Sequence, residues 1–408
     1  MISLDEALSL VRARCGPLPA EELPIREAYG RVLAAPLVAR RDQPATDVSM
    51  MDGYALRAVE AAAPLRVAGA IAAGDAPWLS ELPAGAAARI FTGAPLPPGA
   101  DAVVMQERCE RSGDAVRVLD PVKPGQHVRK RGEELTAGAQ SLPAGLVLGP
   151  AELSLAAACG LSSVFVFRRP RVAILTTGSE LVPVGATPGP GKLVETNSLS
   201  LDALCREAGA VPVLLGLAGD SVPEIAGKLR SADAEILVTT GGASVGDHDH
   251  AQAALESLSG SLLFHTVAIR PGKPVLFGVA GARLVFGLPG NPAAATLGFE
   301  LFVRLAVRLL QGDPRPDRPV VRARLRGTLP RIKGLTFFPR GVLDTSLVFT
   351  PGGQQSSMQI ASWSQTNAVA RIPPGEGKLE DGAELDVLSL GPLASWSDSR
   401  AWPSPARW

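Results

Sequence analysis

The pattern that most limits this chain lies between residues 171 and about 312, where apolar runs of strand length alternate with helical periodicity. Strands read at 172–175, 211–217, 236–239, 262–267, 275–277 and 284–286, and helices near 198–208, 223–229, 251–258 and 292–310. Strand and helix in turn call for a parallel, doubly wound α/β sheet. Glycine-bearing loops follow four of the strands: Thr176-Thr177-Gly178-Ser179-Glu180, Gly219-Asp220-Ser221, Thr239-Thr240-Gly241-Gly242-Ala243-Ser244-Val245-Gly246-Asp247 and Gly287-Leu288-Pro289-Gly290-Asn291-Pro292. In such a sheet the carboxyl ends of parallel strands share one edge, and ligands bind there near the topological switch point. The four loops are therefore expected to converge. Glycine lets backbone N–H groups approach an anion closely, and the helix after each loop presents its positive end to it. A phosphate or similar oxyanion is the expected guest.

Glu180, Asp220, Asp247 and Asp249 lie in the same loops and would repel an anion. Two unit charges 4 Å apart interact by about 4 kcal/mol at an effective dielectric near 20. Carboxylates beside an oxyanion thus point to Mg²⁺ between them. Arg270-Pro271-Gly272-Lys273-Pro274 adds two cations on a proline-stiffened segment, which suits anion recognition. A Walker loop is absent, since Gly191-Lys192 is followed by Leu193 instead of Ser or Thr. His248 and His250 flank Asp249, but i, i+2 histidines without a third ligand are not assigned to a metal.

The rest of the chain divides around this segment. At about 150 residues per domain, 408 residues suggest several packed units. Ser3 and Glu6 form a capping box ahead of Leu4, Ala7, Leu8 and Val11 at helical spacing, so the chain begins with an amphipathic helix. Residues 42–134 switch to short strands separated by Gly/Pro/Asp turns, an inserted β-rich domain. The flanks, 1–41 and 135–168, are expected to join as a composite helical domain. The α/β domain spans 169–318, a small β domain 319–391, and a Ser/Trp/Pro-rich tail 392–408.

Composition narrows the partners. Lys plus Arg is 40 and Asp plus Glu is 40, so no global positive field exists to gather nucleic acid or an anionic membrane. No run of about 18 apolar residues occurs, and the first residues lack a basic, apolar leader pattern; a cytoplasmic location is expected. The four cysteines are too widely spaced for a zinc or disulfide framework and read as reduced, mostly buried thiols.

Three further motifs sit in the β-rich segment: Met51-Asp52-Gly53-Tyr54-Ala55, Thr92-Gly93-Ala94-Pro95 and Arg131-Gly132-Glu133-Glu134. Together with Thr177-Gly178-Ser179-Glu180-Leu181, Gly241-Gly242-Ala243-Ser244-Val245-Gly246-Asp247, Pro271-Gly272-Lys273-Pro274 and Leu288-Pro289-Gly290-Asn291-Pro292 they stand in the order found in the MoeA family. The chain resembles that family, which includes the gephyrin E domain, over roughly residues 2–390. The resemblance implies a helical composite domain, an inserted β domain, a molybdopterin-binding-like α/β domain and a C-terminal β-barrel. It implies a homodimer in which Asp52, Thr92 and Glu134 act on the partner subunit's cleft, and it admits the molybdopterin adenylyltransferase as a partner.

The activity so implied is a molybdenum insertase. It would take adenylylated molybdopterin and molybdate, place molybdenum in the dithiolene and release AMP with Mg²⁺ present. Asp52, Glu134, Glu180, Asp220 and Lys273 would be catalytic. Thr92, Thr177, Gly178, Ser179, Gly241, Gly242, Ser244, Gly246, Asp247, Pro289, Gly290 and Asn291 would hold the pterin phosphate and nucleotide. Glu180, Asp220 and Asp249 would organise Mg²⁺, and Lys273 and Arg270, joined by Arg340 and Ser362, would neutralise molybdate. Four positions depart from the family pattern: Glu134 for Asp, Thr46 and Val48 before the Met-Asp-Gly motif, and Arg270 for a frequent Lys. A non-catalytic pterin-binding scaffold is the competing reading. Loss of Asp52 or Lys273 would have favoured it, and both are present.

Overall fold

The computed structural model describes residues 1–242, 250–353 and 355–391. They form two compact units, residues 1–20 with the described residues from 167 to 391, and Glu21–Val166.

In the first unit six strands make one sheet: β1 Arg171–Thr177, β2 Val211–Ala218, β3 Ile236–Thr240, β4 Ser261–Thr266, β5 Pro274–Ala280 and β6 Arg283–Leu288, in the order β2-β1-β3-β6-β5-β4. Side chains alternate between two apolar layers. Val172, Ile174, Ile236, Val238 and Phe286 face one, while Ala173, Leu175, Leu237 and Val285 face the other. Helix Asn197–Ala208 covers the first face with Leu201, Cys205 and Ala208, and helix Val222–Ser231 covers the second with Ile225, Ala226 and Leu229. Burial on both faces explains why these strands read as nearly continuous apolar runs. The expected parallel sheet holds for β2, β1, β3 and β6. β5 alone is reversed, pairing antiparallel with both β6 and β4. Only two residues, Gly281 and Ala282, separate β5 from β6, too few for a crossover helix, so the chain must reverse there.

The C-terminal β domain is a closed five-stranded barrel, ordered Val320–Leu325, Val348–Pro351, Arg340–Leu343, Ala368–Arg371 and Glu384–Ser389. It adjoins the α/β layer, since Ile269–Arg270 pairs in parallel with Thr336–Phe337, and Phe338 and Val369 enter the larger core. The N-terminal helix Leu4–Arg12 is capped as its sequence requires, with Ser3 Oγ accepting from the Glu6 N–H at 3.2 Å. Its apolar stripe, Leu4, Ala7 and Val11, joins the core that holds Leu305, Val307 and Leu310.

That placement corrects the expected composite helical domain, because this helix belongs to the first unit. The segments flanking the insertion contribute one α-helix to the second unit among the described residues, Pro150–Ala158, together with short strand pairs such as Leu37–Val38 with Gln140–Leu142. The rest of that unit is a six-stranded sheet ordered Ala102–Met105, Gly53–Leu56, Ala86–Ile90, Leu65–Ile71, Ala115–Val118, Cys109–Ser112. All four cysteines are free, and burial pushes the Cys15 and Cys205 thiols up to about 12. They are poor nucleophiles at neutral pH.

Candidate functional site

Because β2, β1, β3 and β6 are parallel, their four following loops emerge on one edge; the connection from β1 runs outward to β2, and the one from β2 returns past β1 to β3. A cavity of about 550 Å³ opens at that switch point. Thr176, Thr177, Gly178 and Glu180 line it after β1, Asp220 after β2, Thr240, Gly241 and Gly242 after β3, and Pro289, Gly290 and Asn291 after β6. The expected convergence of the loops is observed.

Each loop is fixed by its own hydrogen bonds. The Gly178 N–H donates to Ala218 O at 3.1 Å, tying the first loop to the second. Ser179 N–H donates to Asp220 Oδ2 at 3.1 Å, and Asp220 N–H donates back to Ser179 Oγ at 3.3 Å. Lys192 Nζ donates to Ser179 O at 2.7 Å. Gly241 has φ +95°, and a Cβ there would collide with the Thr177 carbonyl. Only glycine fits that position.

The lining is acidic. Glu180, Glu195 and Asp220 contribute carboxylates, and no Lys, Arg or His lines the cavity among the described residues. Glu195 was not singled out in the sequence. It is 4% exposed and accepts from Ser198 N–H at 2.6 Å, Ser198 Oγ at 2.5 Å and Thr176 Oγ1 at 3.3 Å. It thereby caps helix Asn197–Ala208 and holds β1 to it. The available signal was the run Glu195-Thr196-Asn197-Ser198 entering a helix.

The cations sit elsewhere. Arg270 and Lys273 are exposed, beside Pro274 of the cavity wall, and neither forms an ion pair among the described residues. Arg340 is 2% exposed; its Nη2 donates to Ser356 O at 2.9 Å, its N–H to Gln355 Oε1 at 2.9 Å, and burial pushes its guanidinium down to about 10. It tethers the loop carrying Ser357 and Met358, which reach the cavity through the Asn291 Nδ2 to Ser357 Oγ bond at 3.2 Å and the Met358 side of the lining. Ser362 turns inward to Gln359 O at 2.8 Å. Ser244, Gly246, Asp247 and Asp249 lie outside the described residues. No group of three His, Cys, Asp or Glu side chains is placed to hold a metal among the described residues.

Asp52, Thr92 and Glu134 belong to the second unit. Asp52 Oδ1 accepts from both the N–H and the hydroxyl of Thr92 at 2.8 Å each. Those two bonds, with a smaller contribution from Arg89, hold the Asp52 carboxyl below the ordinary carboxylate range. Arg89, unremarked in the sequence, stacks over Phe91 at 4.7 Å and Tyr54 at 5.4 Å and donates to Gly53 O at 2.8 Å, bracing the turn. Glu134 pairs with Arg129 at 2.7 Å. The Arg129-Lys130-Arg131 run is spent on carboxylates, since Lys130 pairs with Asp47 and Arg131 with Asp42.

A doubly wound α/β sheet with a polar strand-end cavity, attached to a closed barrel and carrying an inserted sheet, defines a multidomain α/β protein with a ligand site at the strand ends. The chain matches the MoeA N-terminal region (domains I and II) over residues 2–160, the probable molybdopterin binding domain over 173–309 and the MoeA C-terminal region (domain IV) over 322–390. It is 38% identical to a molybdopterin molybdenumtransferase of Nostoc sp. over 391 residues, covering 89% of this chain and 87% of that one. It is 36% identical to molybdopterin molybdenumtransferase 2 of Mycobacterium tuberculosis, covering 92% and 96%. The solved molybdopterin biosynthesis moeA protein of Pyrococcus horikoshii superposes with a TM-score of 0.82 at 31% identity, covering 95% of this chain and 100% of that one. The chain belongs to the MoeA family.

Proposed function

We propose that this protein is a molybdopterin molybdenumtransferase, a transferase of molybdenum cofactor biosynthesis that inserts molybdenum from molybdate into adenylylated molybdopterin and releases AMP. The observation that carries the reading is the convergence of four strand-end loops on one cavity in a chain related to molybdenumtransferases over nearly its whole length.

The chemistry of the lining supports a divalent cation. Three carboxylates facing a phosphate would repel it, and Glu180 and Asp220 would supply the hard oxygen donors that Mg²⁺ prefers. When bound, Mg²⁺ would neutralise charge on the phosphoanhydride. The chain's own groups supply the rest. The Gly178, Gly241, Gly242 and Gly290 backbones cradle the ligand, and Thr177, Ser179 and Asn291 give hydroxyl and amide contacts around it. Lys273 and Arg270, exposed beside the wall, are free to meet molybdate, and Arg340 holds the neighbouring loop in place for Ser362. In the resting state Asp52, kept ionised by Thr92, accepts a proton or orients water at a partner subunit's cleft, where Glu134 also acts. Ser244, Gly246, Asp247 and Asp249 belong to the same proposed ligand and metal set.

The decisive experiment is single-turnover release of AMP from adenylylated molybdopterin with Mg²⁺, with and without molybdate, while following molybdenum on the pterin. Molybdate-dependent release with metallated product is expected. Tight binding without release would establish a scaffold instead. Sharing of the cleft between subunits is tested by mixing Asp52→Ala with Lys273→Ala protein: a verified heterodimer should recover part of the activity, and no recovery would rule sharing out.

A further inference from the structure

Asn197 occupies the cavity wall and was not singled out by any motif. It is 5% exposed, the first residue of helix Asn197–Ala208, and its orientation is set by the Glu195 cap on the next residue. Its Nδ2 donates to Thr240 Oγ1 at 2.7 Å and to Gly290 O at 2.9 Å. Thr240 Oγ1 passes the connection on, donating to Pro289 O at 3.0 Å, and Gly241 N–H donates to Leu288 O at 3.2 Å. One amide therefore ties the loop after β3 to the loop after β6. Thr240 and Pro289 are 49 residues apart in the chain, and the two loops supply six of the residues that line the cavity, Thr240, Gly241, Gly242, Pro289, Gly290 and Asn291.

A second observation points toward a ligand. With both amide hydrogens spent on the loops, Asn197 Oδ1 is buried and has no hydrogen-bond partner among the described residues. An unsatisfied buried acceptor destabilises a protein, so a residue kept only for packing gains nothing from it. A hydrogen-bond donor on a bound molecule would satisfy it.

Resting on the molybdopterin reading of the cavity, we propose that Asn197 is the positioning residue of this site: its NH₂ clamps the Thr240–Gly242 and Leu288–Asn291 loops together, and its Oδ1 receives an N–H or O–H donor of the bound pterin or nucleotide. The donor-bearing part of the ligand then lies at the Asn197 wall, and its phosphates lie away from it, because an acceptor oxygen repels phosphate oxygen.

Hydrogen exchange and molybdopterin affinity test this on the full chain. Asn197→Ala should speed exchange of the Gly241 N–H by about tenfold or more, the loss of one or two hydrogen bonds, and weaken molybdopterin binding by at least as much. Barrel amides should be unaffected. Thr240→Val cuts the clamp but spares Oδ1, so it should loosen Gly241 with a smaller loss of affinity, and Thr240→Ser, which keeps the hydroxyl, should recover most of both. An unchanged Gly241 exchange rate in either Asn197→Ala or Thr240→Val overturns the clamp. Loosened loops with wild-type affinity overturn the positioning role. If the wild-type protein itself binds no molybdopterin, the functional reading fails, and Gly241 exchange still decides the clamp.

Discussion

The polar groups at the back of the α/β cavity are buried and held by hydrogen bonds, with Thr240 0% exposed and Asn197 and Glu195 nearly so, while its Glu180 and Asp220 are exposed; Asp52 and Thr92 of the inserted domain stand exposed on a turn. The cavity gets its shape from long-range bonds that cross four strands, so its precision depends on the fold. The Asp52 turn gets its chemistry from two bonds to a single residue, and Arg89 braces it from the side. A site built the first way should fail together with stability; a site built the second way should lose activity and leave the fold intact.

The sharpest break in that comparison is Gly241→Ala. A left-handed backbone costs a non-glycine residue roughly 1–2 kcal/mol before any clash, and here the new Cβ also meets the Thr177 carbonyl, which cannot swing aside as a side chain would. Denaturant unfolding should show a loss of about 2 kcal/mol or more, and molybdopterin affinity should fall about 100-fold as the loops separate. Wild-type affinity in this variant would mean that the loops do not form the binding surface.

Asp52→Ala is expected to do the reverse. Turnover should drop by about 10²–10⁴-fold, the usual range for a group moving a proton, while unfolding stays within about 0.5 kcal/mol of wild type and the adenylylated pterin still binds. Full turnover in the purified variant would remove Asp52 from the chemistry.

A smaller effect separates the two bonds to Asp52. Thr92→Val deletes the hydroxyl and keeps the N–H, so the Asp52 carboxyl should titrate at a higher pH, part of the way back to its ordinary range. The sign follows from the depressed folded-state value: the stabilisation from these bonds is present above the ordinary carboxylate pKa and disappears as pH falls through the folded one. The acid limb of the turnover profile should therefore move upward in the variant, while the plateau near neutrality changes little. An unmoved acid limb would show that another group sets it.

Much of this was legible along the chain. The cap at Ser3, the alternation of strand and helix, the glycines after the strands and the strands of the barrel all follow from neighbours within a few residues, and the structure has each of them. Convergence of the four loops followed from parallel pairing alone, because parallel strands must end on the same edge.

What stayed hidden was every partner chosen at long range. The reversal into β5, the helix Leu4–Arg12 docking beside Leu305 and Leu310, Arg340 turning under its own loop and Arg89 stacking on Phe91 depend on which surfaces meet after folding. Asn197 and Glu195 show this most clearly. In the sequence they are two polar residues at the start of a helix, and only the tertiary structure, by burying them between strand ends that lie far apart in the chain, turns their hydrogen bonds into the framework of the cavity. Local pattern sets which backbone groups a segment can offer, and burial decides which polar side chains must satisfy them.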